Sequence, residues 1–301
     1  MNDKIFLLCI VGIQVLFIAL DCLHVHYKRT RQMHNKEKRL TTSAFLFLFV
    51  ITIVYGTIQF GGLLLIPKIG TLIDWFKIAL PSFYAFQTTS AGPSLFGWSA
   101  LGVFTFYIAG FWDYVTHRFM SHSKQLFFTH EYHHLPNRLF LALPGLSVRP
   151  FVAIAILPAT IGTVFSLVLI LKFFNIEHVP LTLLIYTIIA LQTIILAVTH
   201  SEFFMGQWWI YNTVKYAFVT SPQEHEMHHT VDLRGNYGNF TVLWDKIFGT
   251  YINPTKEENK NHLLGLSYDQ DFLGALTAGK LKIPKKVREK FQIERYSNID
   301  E

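Results

Sequence analysis

Histidine is the residue type whose spacing in this chain most clearly predicts chemistry. The pattern H-x-x-H-H occurs twice, over residues 130–134 and again over residues 225–229. On a helix, positions i, i+3 and i+4 lie on one face, so each motif is expected to aim three imidazoles at one point above its helix. The nine candidate metal ligands are His117, His122, His130, His133, His134, His200, His225, His228 and His229. This number exceeds the four ligands of a single zinc site and predicts two metal ions.

The ligand type narrows the choice of metal. Imidazole-rich sites with open coordination positions suit iron, copper or zinc. Neutral imidazoles do not cancel the charge of two metal ions, so acidic or hydroxide ligands are expected to complete the coordination. Asp113 stands one helical turn before His117 and is a candidate for orienting the ring of that histidine by a hydrogen bond.

The elements that must position these histidines are strongly apolar. Hydrophobic residues make up 51% of the 301 residues and charged residues 15%, with a mean hydropathy of +0.33. A typical soluble domain has roughly 25% charged residues. Uncharged runs cover residues 5–20, 43–66, 93–112, 151–171 and 179–199. Most of these runs reach roughly the 20 residues of a membrane-crossing helix, which predicts an all-α integral membrane protein with about five transmembrane helices.

Charge orients the expected spans. A short loop between the first two apolar runs carries six basic residues, Lys28, Arg29, Arg31, Lys36, Lys38 and Arg39. The positive-inside rule assigns this loop to the cytoplasm. Counting crossings from the loop puts residues 113–149 and the chain from His200 onward on the same side. The nine histidines are therefore expected together on the cytoplasmic side. The run 72–86 is interrupted by charges and a proline and is placed in the membrane interface.

The order of the motifs resembles a known family. The histidine pair 117 and 122, the first H-x-x-H-H, His200 and the second H-x-x-H-H follow one another, and then come N-Y-G at 236–238 and W-D-K-I-F-G-T at 244–250. Over roughly residues 106–254 this order resembles the fatty acid hydroxylase and sterol desaturase superfamily of integral-membrane di-iron oxygenases.

The resemblance implies a fold, a cofactor and a reaction. The implied fold has about four membrane helices under a cytoplasmic helical cap that holds the metals. The implied cofactors are two iron ions, which zinc can replace on expression, together with dioxygen. The implied reaction is hydroxylation or desaturation of a fatty acyl chain or a sterol-like lipid. Within this family pattern, four residues are expected to contact the histidine ligands without binding metal themselves, namely Asp113, Glu131, Glu226 and Asn236.

Three parts of the chain follow from these patterns. Residues 1–42 form an N-terminal anchor helix and the basic loop, residues 43–254 a hydroxylase-like membrane catalytic domain, and residues 255–301 a charged C-terminal tail. The net charge of +6 is concentrated in basic clusters expected beside the membrane, so lipid and not nucleic acid is the expected partner. Candidates for contacts with lipid headgroups are Arg118, Arg138 and Arg149.

An oxygenase of this kind needs an external source of electrons. The sequence contains no Gly-x-Gly-x-x-Gly nucleotide motif, no cysteine set for an iron–sulfur cluster and no fused haem-binding segment. A separate reductase or a small electron carrier is therefore an expected partner.

Two other functions use the same residues. Both motifs also read H-E-x-x-H, the pattern in which two histidines hold zinc and the glutamate is the general base of a protease. An intramembrane zinc metalloprotease is thus an alternative, although a protease needs one such motif and this chain has two. A metal transporter or sensor is the non-enzymatic alternative, but transport requires ligands along the spans, and the first, second and fourth expected spans contain no histidine or carboxylate in their interiors.

Overall fold

The computed structural model describes residues 69–80, 95–134, 153–174 and 181–287, apart from residues 233, 260–261, 263, 269, 272 and 275–276, together with scattered helical residues between 8 and 24. The predictions for residues 43–66, for the basic loop and for Arg138 and Arg149 fall outside these residues. The three-part division of the chain therefore stays a prediction.

The described part of the chain is helical and contains two isolated β-bridges but no strand of a sheet. The α-helices are α1 (Ile69–Ala79), α2 (Leu95–Thr116), α3 (Glu131–His134), α4 (Ala153–Phe173), α5 (Leu181–Thr199), α6 (Glu202–Met205), α7 (Trp208–Val214), α8 (Pro222–His228) and α9 (Leu243–Ile247). Helices α2, α4 and α5 coincide with three of the predicted apolar runs. The predicted all-α class is confirmed for this part of the chain.

Among the helices of the described residues, none has both the length and the apolar character that crossing a membrane requires.

Helix α2 packs closely against helix α4. Gly162 of α4 faces the indole ring of Trp112, and a Cβ atom at Gly162 would lie 2.3 Å from that ring. The indole Nε1 of Trp112 donates a hydrogen bond of 2.9 Å to Ser166 Oγ one turn further along α4. The absence of a side chain at Gly162 therefore permits the close approach of the two helices, and α2 can end at a defined place beside the histidines.

Helix α1 also packs against α4. Ile73 and Phe76 are buried in a cluster with Val164, Leu167 and Val168. The opposite side of α1 exposes Trp75 and Ile78. With 11 residues the helix is too short for a crossing of roughly 20 residues. Its predicted place in a membrane interface stays a prediction.

Helices α6, α7 and α8 follow α5 in the chain. The aromatic segment that begins with α7 exposes Trp208, Trp209 and Tyr216 and buries Ile210 and Tyr211. This division into an exposed aromatic face and a buried face is typical of an amphipathic helix.

Candidate metal centre

The nine histidines come together in the folded chain as two groups. Group A consists of His117, His122, His130, His134 and His228, and group B consists of His133, His200, His225 and His229. Within each group the candidate ligand atoms lie within 4.8 Å of one another. Seven of the nine side chains are buried, and those of His122 and His130 are half-buried. Each group contains enough imidazoles to hold one metal ion.

The two groups are in contact with each other. The rings of His134 in group A and His229 in group B stack with a centroid distance of 4.5 Å. Neither group contains a carboxylate or a thiol from the described residues. The acidic ligands expected from charge balance are therefore not supplied by this part of the chain.

Each H-x-x-H-H motif contributes to both groups, so the expectation that a motif aims its three imidazoles at one point is wrong. In the first motif the outer two histidines belong to group A and His133 belongs to group B. In the second motif the outer two belong to group B and His228 belongs to group A. On a helix, positions i+3 and i+4 are separated by about 100°. This angle is large enough for neighbouring rings to face two adjacent centres.

The second motif is held by a well-capped helix. Ser221 precedes α8, its Oγ accepts a hydrogen bond of 3.2 Å from Glu224 N, and its own N–H donates to Glu224 Oε2 at 3.0 Å. Pro222 occupies the first helical position, where the missing N–H costs nothing. Tyr251 donates a hydrogen bond of 2.9 Å to Glu224 Oε1. These contacts fix the start of α8 directly before the histidines.

A π-helical turn brings the first two histidines together. It covers His117–Ser121, and His122 N donates a hydrogen bond of 3.0 Å to His117 O. In an α-helix, residues five apart point in directions about 140° apart. The wider turn allows both rings to enter group A, with their centroids 4.9 Å apart. Such turns are frequent at functional sites, and no feature of the sequence predicted this one.

Backbone carbonyls fix the tautomer of three rings. A carbonyl oxygen can only accept a hydrogen bond, so the ring nitrogen facing it carries the hydrogen and the other nitrogen keeps its lone pair. The Nδ1 atoms concerned are those of His117 (2.5 Å from Tyr237 O), His200 (2.8 Å from Leu196 O) and His228 (3.0 Å from Gly235 O). Metal-binding histidines typically donate their second ring N–H in this way.

The remaining nitrogens of these rings point into the two groups. His117 Nε2 lies 2.9 Å from His130 Nε2 in group A, and His200 Nε2 lies 2.9 Å from His225 Nε2 in group B. Within the described residues the buried Nε2 atom of His134 has no hydrogen-bond partner. Buried polar atoms are normally satisfied, and a metal ion would satisfy these nitrogens. The donor set therefore fits metal ions that prefer imidazole, including iron.

Burial keeps the histidines neutral. Loss of solvation lowers the pKa of His200 and of His228 from 6.5 to about 4. The same cause lowers the pKa of each of the other seven well below 6.5, namely that of His117, His122, His130, His133, His134, His225 and His229. Neutral imidazoles have a lone pair that is free to bind a metal at neutral pH.

Asp113 reaches the histidines through an intermediate residue. Its carboxylate accepts two hydrogen bonds from Asn239, one from the backbone N–H at 3.0 Å and one from Nδ2 at 2.9 Å. Asn239 Nδ2 lies 3.1 Å from His117 Nδ1. Because Asn239 Nδ2 and the protonated His117 Nδ1 are both donors, this is a packing contact; Asp113 holds Asn239 beside the His117 ring and does not donate to or accept from the ring itself.

Asn236 ties the start of α8 to the chain that follows α9. Its Nδ2 donates to Glu224 O at 2.8 Å and to Ile252 O at 2.9 Å, and its Oδ1 accepts from Ile252 N at 2.8 Å. The side chain is fully buried, and the backbone has a φ of 49°. Asparagine is among the few residues that adopt this left-handed conformation readily. Asn236 therefore supports the second motif without facing either histidine group.

The two glutamates inside the motifs have different surroundings. Glu131 is buried and accepts hydrogen bonds from Tyr268 Oη and from Gln270 Nε2, the latter at 2.9 Å. Glu226 lines a cavity of about 330 Å³ together with Trp208, and burial raises the pKa of its carboxyl group. Neither glutamate belongs to a histidine group.

Arg118, the described member of the predicted headgroup-binding arginines, packs against aromatic rings. Its guanidinium lies 5.7 Å from the ring centroid of Tyr114 and 5.9 Å from that of Tyr237, and it donates a hydrogen bond to the Tyr114 hydroxyl. Its predicted contact with lipid headgroups stays a prediction.

Several supporting groups were not singled out from the sequence. Asp245 is buried and accepts hydrogen bonds from the backbone N–H groups of Tyr237 and Gly238, both at 2.8 Å, and from Thr250 Oγ1 at 2.7 Å. It thereby holds the loop whose Tyr237 carbonyl accepts from His117. Asp245 lies inside the W-D-K-I-F-G-T run, which was a usable signal. The backbone carbonyls that accept from the histidine rings have no signal in the sequence, because every residue carries a backbone carbonyl.

The fold and the site define the class of this protein: it is a helical protein with two adjacent, buried groups made only of histidines. The family model described as fatty acid hydroxylase matches residues 102–250, about half of the chain, and this protein belongs to that family. The match begins within α2, ends after α9 and includes all nine histidines. No curated protein and no solved structure matches the chain. The resemblance stated from the sequence motifs is confirmed.

Proposed function

We propose that this chain is an oxygen-dependent hydroxylase or desaturase of membrane lipids that holds two iron ions in groups A and B. The observation that carries the proposal is the pair of buried histidine groups inside the segment that matches the fatty acid hydroxylase family. Iron with dioxygen supplies the oxidising strength that an unactivated C–H bond requires.

The protein's own residues hold and orient the ligands. The carbonyls of Leu196, Gly235 and Tyr237 accept hydrogen bonds from ring N–H groups and prevent those rings from rotating. The carboxylates of Asp245 and Asp113 hold the loop around Tyr237, Asp245 by accepting from Tyr237 N and Asp113 by accepting from Asn239 N. Burial of the histidines limits the access of water, which protects an oxidising site from side reactions.

The substrate proposal is a lipid with a long apolar chain, and the protein is proposed to lie in a membrane. The composition supports this, and so do large apolar side chains that are exposed on α2 and α5, namely Val103, Phe104, Leu183, Leu191 and Ile194. Contiguous exposed apolar surface is typical of a contact with lipid or with another protein. The histidine groups lie beyond the ends of these helices, where an acyl chain entering from the bilayer would meet them. The site is proposed to face the cytoplasm.

Electrons are proposed to come from a separate reductase or a small electron carrier, since the sequence has no motif for a bound nucleotide, haem or iron–sulfur cluster. This partner and the dioxygen requirement are parts of the proposal.

The zinc protease is less well supported. The two outer histidines of each H-E-x-x-H do share one group, as a protease requires. However, the interior His133 and His228 are also members of the groups, and the carboxylate of Glu131 is engaged by Tyr268 and Gln270. A general base would instead face the water on the zinc. A metal transporter is disfavoured because α4 and α5 contain no histidine or carboxylate.

Two measurements test the proposal. The purified protein is stripped of metal, loaded with ferrous iron without oxygen, and its bound iron is counted. Membrane lipids of cells with and without the gene are then compared by mass spectrometry for the gain of one oxygen or the loss of two hydrogens. We expect close to two irons per chain and an oxygen-dependent mass change. A protein that binds about one metal and leaves the lipids unchanged would contradict the proposal.

A further inference from the structure

We infer that the described residues of the segment 264–271 are a working part of the metal centre, in which Tyr268 and Gln270 are positioning residues that act through Glu131. This segment lies beyond the family-matched residues 102–250 and inside the region expected to be a charged tail. The inference rests on the proposed function, because it concerns the same two groups of histidines.

The segment contacts both H-x-x-H-H motifs. At its start, Gly265 N donates a hydrogen bond of 3.1 Å to His229 O, and Leu264 forms a β-bridge with Thr230, directly after the second motif. Further along, Tyr268 Oη and Gln270 Nε2 donate to the carboxylate of Glu131 inside the first motif. One stretch of eight residues thus links the two halves of the site.

The first motif depends on such a link because its helix is very short. Helix α3 has four residues, and a single helical turn is not stable by itself, since it fixes several residues for one hydrogen bond. Glu131 is the first residue of α3, directly after His130 and two residues before His133. The two donors that hold its carboxylate therefore set the position of histidines from both groups.

Burial makes these hydrogen bonds consequential. Glu131 and Gln270 are each 6% exposed. A buried carboxylate is costly unless donors surround it, so the fold favours the arrangement in which both donors are in place. The loss of one donor is expected to displace the carboxylate and, with it, α3.

The far end of the segment is fixed as well. Asp271 is fully buried, and its carboxylate accepts hydrogen bonds from Gly274 N at 2.7 Å and from Ile283 N at 2.8 Å. The residue after Gln270 is therefore anchored independently of the histidines. Because the backbone next to Gln270 is fixed, Gln270 can determine the position of the Glu131 carboxylate.

The test measures metal binding in place of turnover. The full chain is purified in detergent, stripped of metal and titrated with Co²⁺, whose visible absorption reports the ligand geometry. We expect Tyr268→Phe and Gln270→Glu each to weaken Co²⁺ binding by roughly 10- to 100-fold and to change the absorption spectrum. Gln270→Glu removes a donor and sets a second carboxylate beside that of Glu131.

A reciprocal exchange separates positioning from general damage. In the double variant Glu131→Gln with Gln270→Glu, the amide stands at position 131 and the carboxylate at position 270. The same hydrogen bond can then form with donor and acceptor exchanged. We expect this variant to recover most of the Co²⁺ affinity lost in Gln270→Glu alone, because the two side chains are directly coupled. The matched control is Tyr216→Phe, whose ring is 79% exposed, and it should bind Co²⁺ like the unchanged protein.

The outcomes distinguish this inference from the proposed function. If the unchanged protein binds Co²⁺ at two sites, while Tyr268→Phe and Gln270→Glu bind it equally well and with the same spectrum, the inference is wrong and the proposed function stands. If the single variants lose affinity and the double variant does not recover it, a direct role for the pair is also contradicted. If the unchanged protein binds no Co²⁺, the proposed function fails, and this inference fails with it.

Discussion

At the scale of single residues, the position of a histidine within its motif decides which group it joins. His133 belongs to group B, whereas the outer histidines of its motif belong to group A. His228 belongs to group A, whereas the outer histidines of its motif belong to group B. Each group is therefore built from histidines of both motifs. The glutamates next to the outer histidines belong to neither group. In the oxygenase mechanism the interior histidines are therefore essential and the glutamates are not. In the protease mechanism one glutamate is essential as the general base and the interior histidines are not.

Four variants test that assignment. We expect His133→Ala and His228→Ala to abolish lipid oxidation, because each removes a ligand from one group. Glu131→Gln and Glu226→Gln should lose at most about 10- to 100-fold in activity, as is usual for groups behind the ligands. Activity is measured with iron-loaded protein, and bound metal is counted in each variant.

The opposite pattern would favour the protease. An inactive glutamine variant that keeps its metal, together with active His133→Ala and His228→Ala variants, would assign the glutamate as the general base. In that case the oxygenase assignment would fail.

At the scale of elements, the contact between α2 and α4 determines where the first histidines lie. Helix α2 leads directly into the π-helical turn that carries His117 and His122. Any change in the distance between α2 and α4 is therefore transmitted to group A. The closest point of this contact is Gly162, where the Trp112 ring occupies the place of a side chain.

A glycine pair tests this contact. Gly162→Ala places a Cβ atom against the rigid Trp112 ring and is expected to lower the free energy of unfolding by about 1–3 kcal/mol. The matched control is Gly102→Ala in α2, where a Cβ atom meets nothing within 4 Å among the described residues. Alanine there should be neutral or stabilising by up to about 1 kcal/mol, since glycine weakens a helix interior. Thermal unfolding in detergent gives both values, and equal effects would contradict the packing described.

At the scale of the whole molecule, the nine histidines place a concentrated set of titratable groups in one buried region. In the folded chain the pKa values of His200 and His228 are about 4, whereas an unburied histidine has a pKa of 6.5. Between these two values the unfolded chain binds protons that the folded chain does not bind. Burial also raises the pKa of Asp113 to about 7 and that of Asp245 to about 6, so these two carboxyl groups act in the opposite direction. The nine histidines outnumber them and set the net dependence of the free energy of unfolding on pH in this interval.

This difference predicts the direction of the pH dependence. The metal-free protein should be most stable above about pH 6.5, and it should lose stability progressively as the pH falls toward about 4. Melting temperatures measured across this range in the presence of a chelator provide the test. Tyr216→Phe serves as the control, because Tyr216 is exposed and lies outside both groups, and its curve should match that of the unchanged protein. A melting temperature that does not change over this interval would contradict the burial of neutral histidines.

The orientation in a membrane is the second prediction at this scale. The positive-inside rule and the count of spans put residues 28–39 and the histidine cap on the cytoplasmic side. Single cysteines at Asn35 and at Asn137, in a background without Cys9 and Cys22, should react only with a reagent that reaches the cytoplasm. Labelling from opposite sides would show that the run 72–86 crosses the membrane and that the count of spans is wrong.

Properties that depend on nearby residues could be predicted from the sequence alone. The apolar runs located helices α2, α4 and α5, because an uncharged stretch of roughly 20 residues predicts a helix. The two H-x-x-H-H motifs and their companions identified all nine histidines that the fold brings together. The family followed from the order of these motifs, which the match over residues 102–250 confirms.

Properties that depend on residues far apart in the chain were decided by the tertiary structure. The division of each motif between two groups requires α3 and α8 to face each other, which no local spacing specifies. The packing of Asn239 beside His117 and the attachment of Tyr268 and Gln270 to Glu131 join residues brought together only by folding. Spacing along a helix sets the direction of a side chain relative to its own axis. The partner that it meets depends on how the axes pack, and that packing is a property of the whole molecule.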